Sequence, residues 1–226
     1  MSLEITPPEI EELSSHEQLR DAVALQKTIW GWDDADLLPF RMFVVATKIG
    51  GQALGVYRDG RMIAFCVSIP GVKPDGKVYL HSHMLGVLPE YRNAGLGRQL
   101  KLRQRDDALA RGIDLIEWTF DPLELKNAYF NIERLGVIVR RYVRNQYGIS
   151  TSRLHGGIPT DRCVAEWWIR KPPEQVPVSE RIEVPADIEA ARAQQAEIAG
   201  RFEDCFARGL TVIGMEGSSY LLGTLP

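Results

Sequence analysis

Val87-Leu88-Pro89-Glu90-Tyr91-Arg92-Asn93-Ala94-Gly95-Leu96-Gly97 stands between an apolar extended run and a basic helical pattern, and its reading decides the fold. The preceding run, Lys77 to Leu85, reads as a strand. Gly97 to Arg111 reads as a helix stopped at Gly112, where a C-terminal cap favours glycine. Gly95 and Gly97 therefore fall on a strand-to-helix turn. With no Cβ at either position a phosphate can approach the backbone, and the N–H groups of the helix's first turn point at it with the positive end of the dipole behind them. Arg92 adds a fixed positive charge with bidentate reach. The stretch reads as a pyrophosphate cradle, against the plainer reading of a tight turn. Two familiar phosphate loops do not fit: Gly-x-Gly-x-x-Gly needs a glycine where Leu100 stands, and no Gly-Lys-Ser/Thr follows.

Composition narrows the classes. The 226 residues, 45% hydrophobic and 25% charged, suit one well-filled core with an elaboration. A net charge of −3 argues against a general nucleic-acid binder. Arg98, Lys101, Arg103, Arg105 and Arg111 follow the glycine turn, offset by Asp106 and Asp107, and read as a solvated helix face. The three cysteines, Cys66, Cys163 and Cys205, have no Cys-x-x-Cys spacing, so neither a disulfide framework nor a metal site is expected, and the chain reads as cytoplasmic. Met1 to Pro8 lacks a basic region followed by an apolar stretch, and no window approaches a membrane span.

Along the chain, Ser14-x-x-Glu17 has capping-box spacing, and Leu19, Ala22, Val23, Gln26, Ile29 and Trp30 follow at helical intervals, predicting a helix over Ser15 to Trp30. A second helix is expected over Pro39 to Lys48. Gln52 to Tyr57 and Arg61 to Ile69 read as strands joined at Arg58-Asp59-Gly60. Beyond the glycine turn, Ile113 to Phe120 has the apolar and β-branched make-up of a buried parallel strand. A helix over Leu125 to Leu135 and strands over Val137 to Val143 and Arg162 to Ile169 follow. Lys171 to Pro177 is a stiff connector. Ile188, Ala191, Gln195, Ile198, Phe202 and Phe206 then trace one long helix closed by Gly209, with strands at Leu210 to Met215 and Ser219 to Leu222.

The segment Val87 to Gly97 resembles motif A of the GNAT acyltransferases, Val-x-Pro-x-Tyr-Arg-x-x-Gly-x-Gly, and the element order is similar to the GNAT fold over roughly Ile5 to Ile169. That resemblance implies an α/β GNAT-like acyl-CoA N-acyltransferase fold, a mixed central sheet flanked by helices. Residues 1–170 would form the core, and residues 171–226 a strand-helix-strand extension packed on it. It implies acetyl-CoA or another acyl-CoA as co-substrate, held by Leu85, Gly86, Val87, Arg92, Asn93, Ala94, Gly95, Leu96 and Gly97. The Leu85 and Val87 backbone would pair with pantetheine, and the Leu85 N–H would face the thioester oxygen. Asn127 to Gly136 resembles motif B, whose general-acid tyrosine precedes the glycine by four. Ile132 holds that position; Tyr129, one turn away, is a candidate acid or equally a core residue, and Asn127 and Asn131, sharing a face, are candidates to line the CoA arm. Trp30 and Trp32, at the end of the first helix, fall where such enzymes wall the acceptor pocket.

Acyl transfer to an amine needs the amine neutral. Strand alternation puts His81, His83, Leu85 and Val87 on one face and Leu80, Ser82, Met84 and Gly86 on the other. His81 and His83 stand eleven and nine positions before Arg92. By resemblance these are the offsets of the carboxylate base in histone acetyltransferases and of a His-x-His pair in arylalkylamine N-acetyltransferases. An imidazole with an ordinary pKa near 6.5 can take a proton from an ammonium at neutral pH. His155, in an irregular glycine-bearing stretch, reads as a loop histidine, and His16 as structural. The resemblance thus implies transfer from CoA to the amine of a small molecule, an amino acid being one candidate, by direct attack in a ternary complex. Protein or peptide N-acetylation and a non-catalytic acyl-CoA-binding module are the alternatives. A homodimer stays open; nucleic acid and membrane are not expected as partners.

Overall fold

Ser15, not Ser14, starts the first helix. Its hydroxyl accepts from the Gln18 N–H, and the Gln18 amide oxygen accepts from the Ser15 N–H, both at 3.1 Å. The capping box thus sits one residue later than Ser14-x-x-Glu17, because the Gln18 oxygen reaches the N–H groups of both Ser14 and Ser15. Helix α1 (His16–Trp30) turns Leu19, Ala22 and Leu25 inward and ends on Gly31, whose left-handed φ of 64° lets its N–H reach the Lys27 carbonyl at 2.9 Å. His16 packs edge-on against Phe40, which opens helix α2 (Phe40–Lys48).

The computed structural model describes residues 9–148 and 157–226; Met1 to Pro8 and His155 lie outside them. Two compact units divide the chain, one running through Arg111 and the other beginning at Gly112. In the first, β1 (Ile10–Glu12), β2 (Gln52–Arg58), β3 (Arg61–Val72) and β4 (Val78–Val87) lie side by side in that order, each antiparallel to the next. Asp59 and Gly60, both at positive φ, make the tight β2–β3 turn. Helix α3 (Leu96–Ala110) follows the glycine turn. Phe65 of β3 meets Trp30 and Phe43, so α1 and α2 cover one face of this sheet. Gln104 and Asp107 of α3 meet Cys66 and Gln52 on the other.

The second unit holds β5 (Leu115–Phe120), α4 (Leu125–Tyr129), β6 (Ile138–Val143), β7 (Arg162–Trp168), β8 (Glu180–Glu183), α5 (Ile188–Ala193), α6 (Gln195–Ala207), β9 (Thr211–Glu216) and β10 (Ser219–Gly223). Its strand order is β5-β7-β6-β9-β10-β8, and its described pairings are antiparallel. Two expectations change here. The helix expected over Leu125 to Leu135 widens to a π-helical turn at Phe130–Arg134, which brings Asn131 and Ile132 inside together. The long tail helix breaks at Gln194: Asp187 caps α5, and Gln195 turns inward to bond the Pro159 carbonyl at 2.8 Å. The strand expected, without definite bounds, ahead of the tail helix is β8: Glu-Arg-Ile-Glu carries one apolar residue, Ile182, which is fully buried. Phe202 stacks on Tyr142 and meets Tyr220 edge-on, and the Tyr220 hydroxyl donates to the Pro122 carbonyl at 2.7 Å.

The α/β class expected from the sequence is the one observed, with antiparallel sheet flanked by helices. One buried amide fixes the connection from α1 to α2. Gln26 is fully buried, accepts from the Leu38 N–H at 2.9 Å and donates to the Leu38 carbonyl at 3.1 Å. Gln26→Ala leaves both Leu38 groups unpartnered by the side chain and should cost about 2 kcal/mol, read as a lower midpoint in urea denaturation. A midpoint within error of the wild type would show that the connection holds without this amide.

Candidate active site

Between β3 and β4 the pairing runs in step from Val72↔Val78 to Ser68↔Ser82, and again from Val67↔Met84 to Ala64↔Val87. His83 is the extra residue, a β-bulge. Residues directly opposite share a face. Ser82, opposite Ser68, and Leu85, opposite Cys66, therefore point to α3, whereas His81, opposite Ile69, points to the face covered by α1 and α2. Two contacts agree: Ser82 Oγ meets Lys101 of α3, and a Cβ on Gly86 would strike Ile29 and Trp30 of α1. The even alternation expected across His81, His83, Leu85 and Val87 is thus corrected. The bulge moves Leu85 and Val87 to the α3 face with Ser82, and leaves His81 on the face of Met84 and Gly86.

The two histidines stay together, their ring centroids 5.8 Å apart. His81 is half-buried and His83 is exposed. His83's surface is open to solvent, yet enough protein surrounds the ring that desolvation of the imidazolium holds its pKa below the ordinary 6.5. At neutral pH His83 is therefore a neutral acceptor. Trp30 and Trp32 stack at 4.6 Å and 17° beside this face, Trp30 resting on Phe65. The Trp32 indole Nε1–H is buried without a hydrogen-bond partner.

The turn after β4 is built for an exposed backbone. Pro89–Tyr91 forms one 3₁₀ turn, Asn93 takes a left-handed φ of 64° and Gly95 one of 83°. Arg92 is exposed and donates from Nε to the Val87 carbonyl at 3.2 Å, which ties the guanidinium to the end of β4. Gly95 supplies no side-chain cap, so none covers the first-turn N–H groups of α3. Gly97 has no conformational need for glycine: a Cβ there would meet Leu85 Cδ2 at 3.5 Å, an ordinary contact. These residues fit a pyrophosphate. The chain offers unblocked N–H donors at a helix start, an arginine anchored beside them, and an open position at Gly97 that a side chain would fill.

Two neighbours were not legible as site residues. Lys101, read from sequence as part of a solvated face, is 3% exposed, and its Nζ lies 2.7 Å from Ser82 Oγ. Burial pushes its pKa down to about 7, with Cys66 beside it. Gln104, one turn on, is fully buried. The signal was present: Gly97, Leu100, Lys101, Gln104 and Ala108 lie at the helical spacing of an inward stripe.

In the second unit, Tyr129 is 43% exposed with Arg134 over its ring, so it is not a core residue. Asn127 is exposed. Asn131 is buried, accepting from Trp118 Nε1 at 3.2 Å and reaching Asn127 at 3.5 Å. Ile132 is buried. Among the described residues no group of three or more His, Cys, Asp or Glu could hold a metal ion, and no helix is long and apolar enough to cross a membrane.

A model of the acetyltransferase (GNAT) family matches residues 16–136, more than half of the chain, and the chain belongs to that family. Its class is therefore that of an acyl-CoA-dependent N-acetyltransferase. No curated protein sequence matches it. Among solved structures it is similar to the ribosomal-protein-S18-alanine N-acetyltransferase of Escherichia coli (19% identity, TM-score 0.56, 76% of this chain and 99% of that one). An aminoglycoside 6'-acetyltransferase type Ii aligns at 17% identity and a TM-score of 0.57, over 73% of this chain and 99% of that one. Arabidopsis thaliana Naa50, solved with a bisubstrate analogue CoA-Ac-MVNAL, aligns at 15% and 0.53, over 70% and 96%. At these identities the likeness is one of fold.

Because the folded pKa of Lys101, about 7, lies below its ordinary 10.5, the unfolded chain binds more protons than the folded one between those values. Stability should therefore rise with pH from about 7 towards 10, and the full cost of burying the ammonium applies below 7. Lys101→Met removes this slope, so the difference in Tm between variant and wild type should shrink as pH is raised from about 6 to about 9. A difference constant with pH would show that Lys101 titrates normally.

Proposed function

We propose that the chain transfers an acetyl or other acyl group from CoA to the amine of a small molecule, an amino acid being one candidate, by direct attack in a ternary complex. The observation that carries this reading is the pair His81 and His83, their rings 5.8 Å apart, with His81 on the sheet face that Trp30 covers. A neutral His83 can accept the ammonium proton, directly or through His81, and release the lone pair for attack. Trp30 and Trp32 would wall the acceptor, and the unpartnered Trp32 Nε1–H is a donor that an acceptor oxygen could satisfy.

Bound acyl-CoA supplies the activated acyl group. In this reading Arg92, Asn93, Ala94, Gly95, Leu96 and Gly97 hold its pyrophosphate, and the backbone of Leu85, Gly86 and Val87 serves the pantetheine arm, with the Leu85 N–H facing the thioester oxygen. Tyr129, exposed, is the proposed donor to the leaving thiolate. Asn127 and Asn131 are proposed along the arm, Asn127 carrying the exposed part since Asn131 turns to Trp118. Residues 1–170 are proposed as the transferase core and 171–226 as its extension. The cytoplasm is the proposed compartment, supported by three free buried cysteines. A non-catalytic acyl-CoA-binding module is the second reading, favoured by the buried Ile132 where motif B has its hydroxyl. Thiol release with a broad amine panel separates the two.

Gly97→Ala isolates the cradle from the fold. The variant should be as stable as the wild type or slightly more so, since alanine favours a helix and its Cβ has room, while acetyl-CoA affinity by calorimetry should fall at least about tenfold. Unchanged affinity in the folded variant would remove the pyrophosphate from this turn.

For the histidines, His81→Ala/His83→Ala together should lose roughly 10²- to 10⁴-fold in kcat/KM while acyl-CoA affinity is retained. The acidic limb of the wild-type profile should fall below the ordinary imidazole value, because desolvation lowers the His83 pKa. An acceptor whose amine pKa lies well under the assay pH arrives neutral and should largely rescue the double variant. Near wild-type turnover by that variant on an ordinary ammonium acceptor would assign both histidines a structural role.

A further inference from the structure

A lysine amine inside a sheet-helix interface is expensive to bury, and Lys101 is placed where its contact bears on the site. It leaves α3 five residues after Leu96, about 7.5 Å along the helix from the start of the cradle turn. Its Nζ donates to Ser82 Oγ at 2.7 Å. Ser82 stands between His81 and the bulged His83, at the point where the β3–β4 ladder loses a regular pair. Cys66 of β3 and Gln104 of α3 also face this spot, and the burial-raised pKa of Cys66, about 12, keeps it a neutral thiol.

The contact selects one register. A bulge is the soft point of a strand, and displacing it by one residue exchanges the faces of its neighbours. Were His81 the extra residue instead of His83, His83 would oppose Ser68 and turn to the α3 face, and the Ser82 hydroxyl would turn to the apolar face lined by Phe65, Trp30 and Phe43. Lys101 would lose its hydroxyl partner in the same step. The amine therefore stabilises the observed arrangement, in which His81 faces α1 and the His83 ring lies beside it instead of turning to α3.

We propose that Lys101 is a positioning residue: held against Ser82, it fixes the β4 bulge and with it the direction of His81 and His83, and joins that strand to the helix that begins at the cradle turn. The proposal rests on the acyltransferase reading for its effect on turnover, but not for its effect on the imidazoles. Lysine suits the task because its long stem lies on the buried face of α3, with Leu100, Gln104 and Ala108, while the head carries the donor.

Three variants test it. Lys101→Met keeps the volume of the stem and removes the amine, and Ser82→Ala removes the acceptor with minimal change in size. Asp107, on the same helix as Lys101, serves as control: Asp107→Ala breaks the bonds to Gln52 of β2 and Arg103 of α3 without touching β4. In the full chain, Lys101→Met and Ser82→Ala should each move the imidazole ¹H–¹⁵N resonances of His81 and His83, and should lower kcat roughly tenfold to a hundredfold with acetyl-CoA affinity within about twofold. Asp107→Ala should lower Tm and leave both readouts in place. The proposal is overturned if Lys101→Met and Ser82→Ala keep wild-type imidazole spectra, or if Asp107→Ala reproduces their effects. Should the wild type release no thiol with any amine, the acyltransferase reading fails, while the imidazole spectra still decide whether Lys101 sets the bulge.

Discussion

β4 spends two residues where β3 spends one, between Ser68↔Ser82 and Val67↔Met84, and the orientation of every proposed catalytic group on this strand follows from that mismatch. Before the bulge His81 faces α1 and Ser82 faces α3; after it Leu85 and Val87 face α3 and Gly86 faces α1. Without the extra residue, a strict period of two would carry Leu85 to the histidines' face and would place either Ser82 or Gly86 against the wrong helix. The Gly86 side is filled by Ile29, Trp30 and Phe65, so no side chain fits there. The Ser82 side holds a buried amine. Both faces are thus committed, and the bulge absorbs the difference.

Polar groups inside the first unit share a pattern. Gln26, Gln52, Ser68, Ser82, Lys101 and Gln104 are all buried, and most spend their bonds on neighbouring elements rather than on their own. A buried polar group with an unsuited partner costs more than a good partner gains, so each of these contacts penalises a shifted helix or strand. Hydrophobic burial holds the elements together, and these bonds set their register.

In the second unit the chain's last elements are joined to the middle ones by large aromatics and a few directed bonds. Val212 of β9 pairs with Val139 of β6, and Glu133, in the π-helical turn, accepts from the Met215 N–H at 2.6 Å. Phe202 of α6 stacks on Tyr142 of β6 and meets Tyr220 of β10 edge-on. The π-helical turn also sets the exposure of the proposed acid. It takes Ile132 into the core and leaves Tyr129 on the surface.

The sequence by itself determined most of the element types and their order, though not β1, and the glycine turn, because these rest on local terms: periodicity, caps, and the conformations that only glycine adopts readily. Gly95 at φ 83° and the helix after it were readable from residues 87 to 112 alone. Helix α1 was legible to within a residue, and even the cap error at Ser14 was a choice between adjacent serines. Lys101 was half legible, since its place in an inward stripe was visible but its charge argued for solvent. Other features were decided only in the tertiary structure: the bulge at His83, the π-helical turn at Phe130–Arg134, the break at Gln194 and the bounds of the strand at Ile182. A bulge leaves no mark on the strand that carries it, because it is a mismatch between two strands and exists only once β3 and the two covering layers have fixed which residues must face which way.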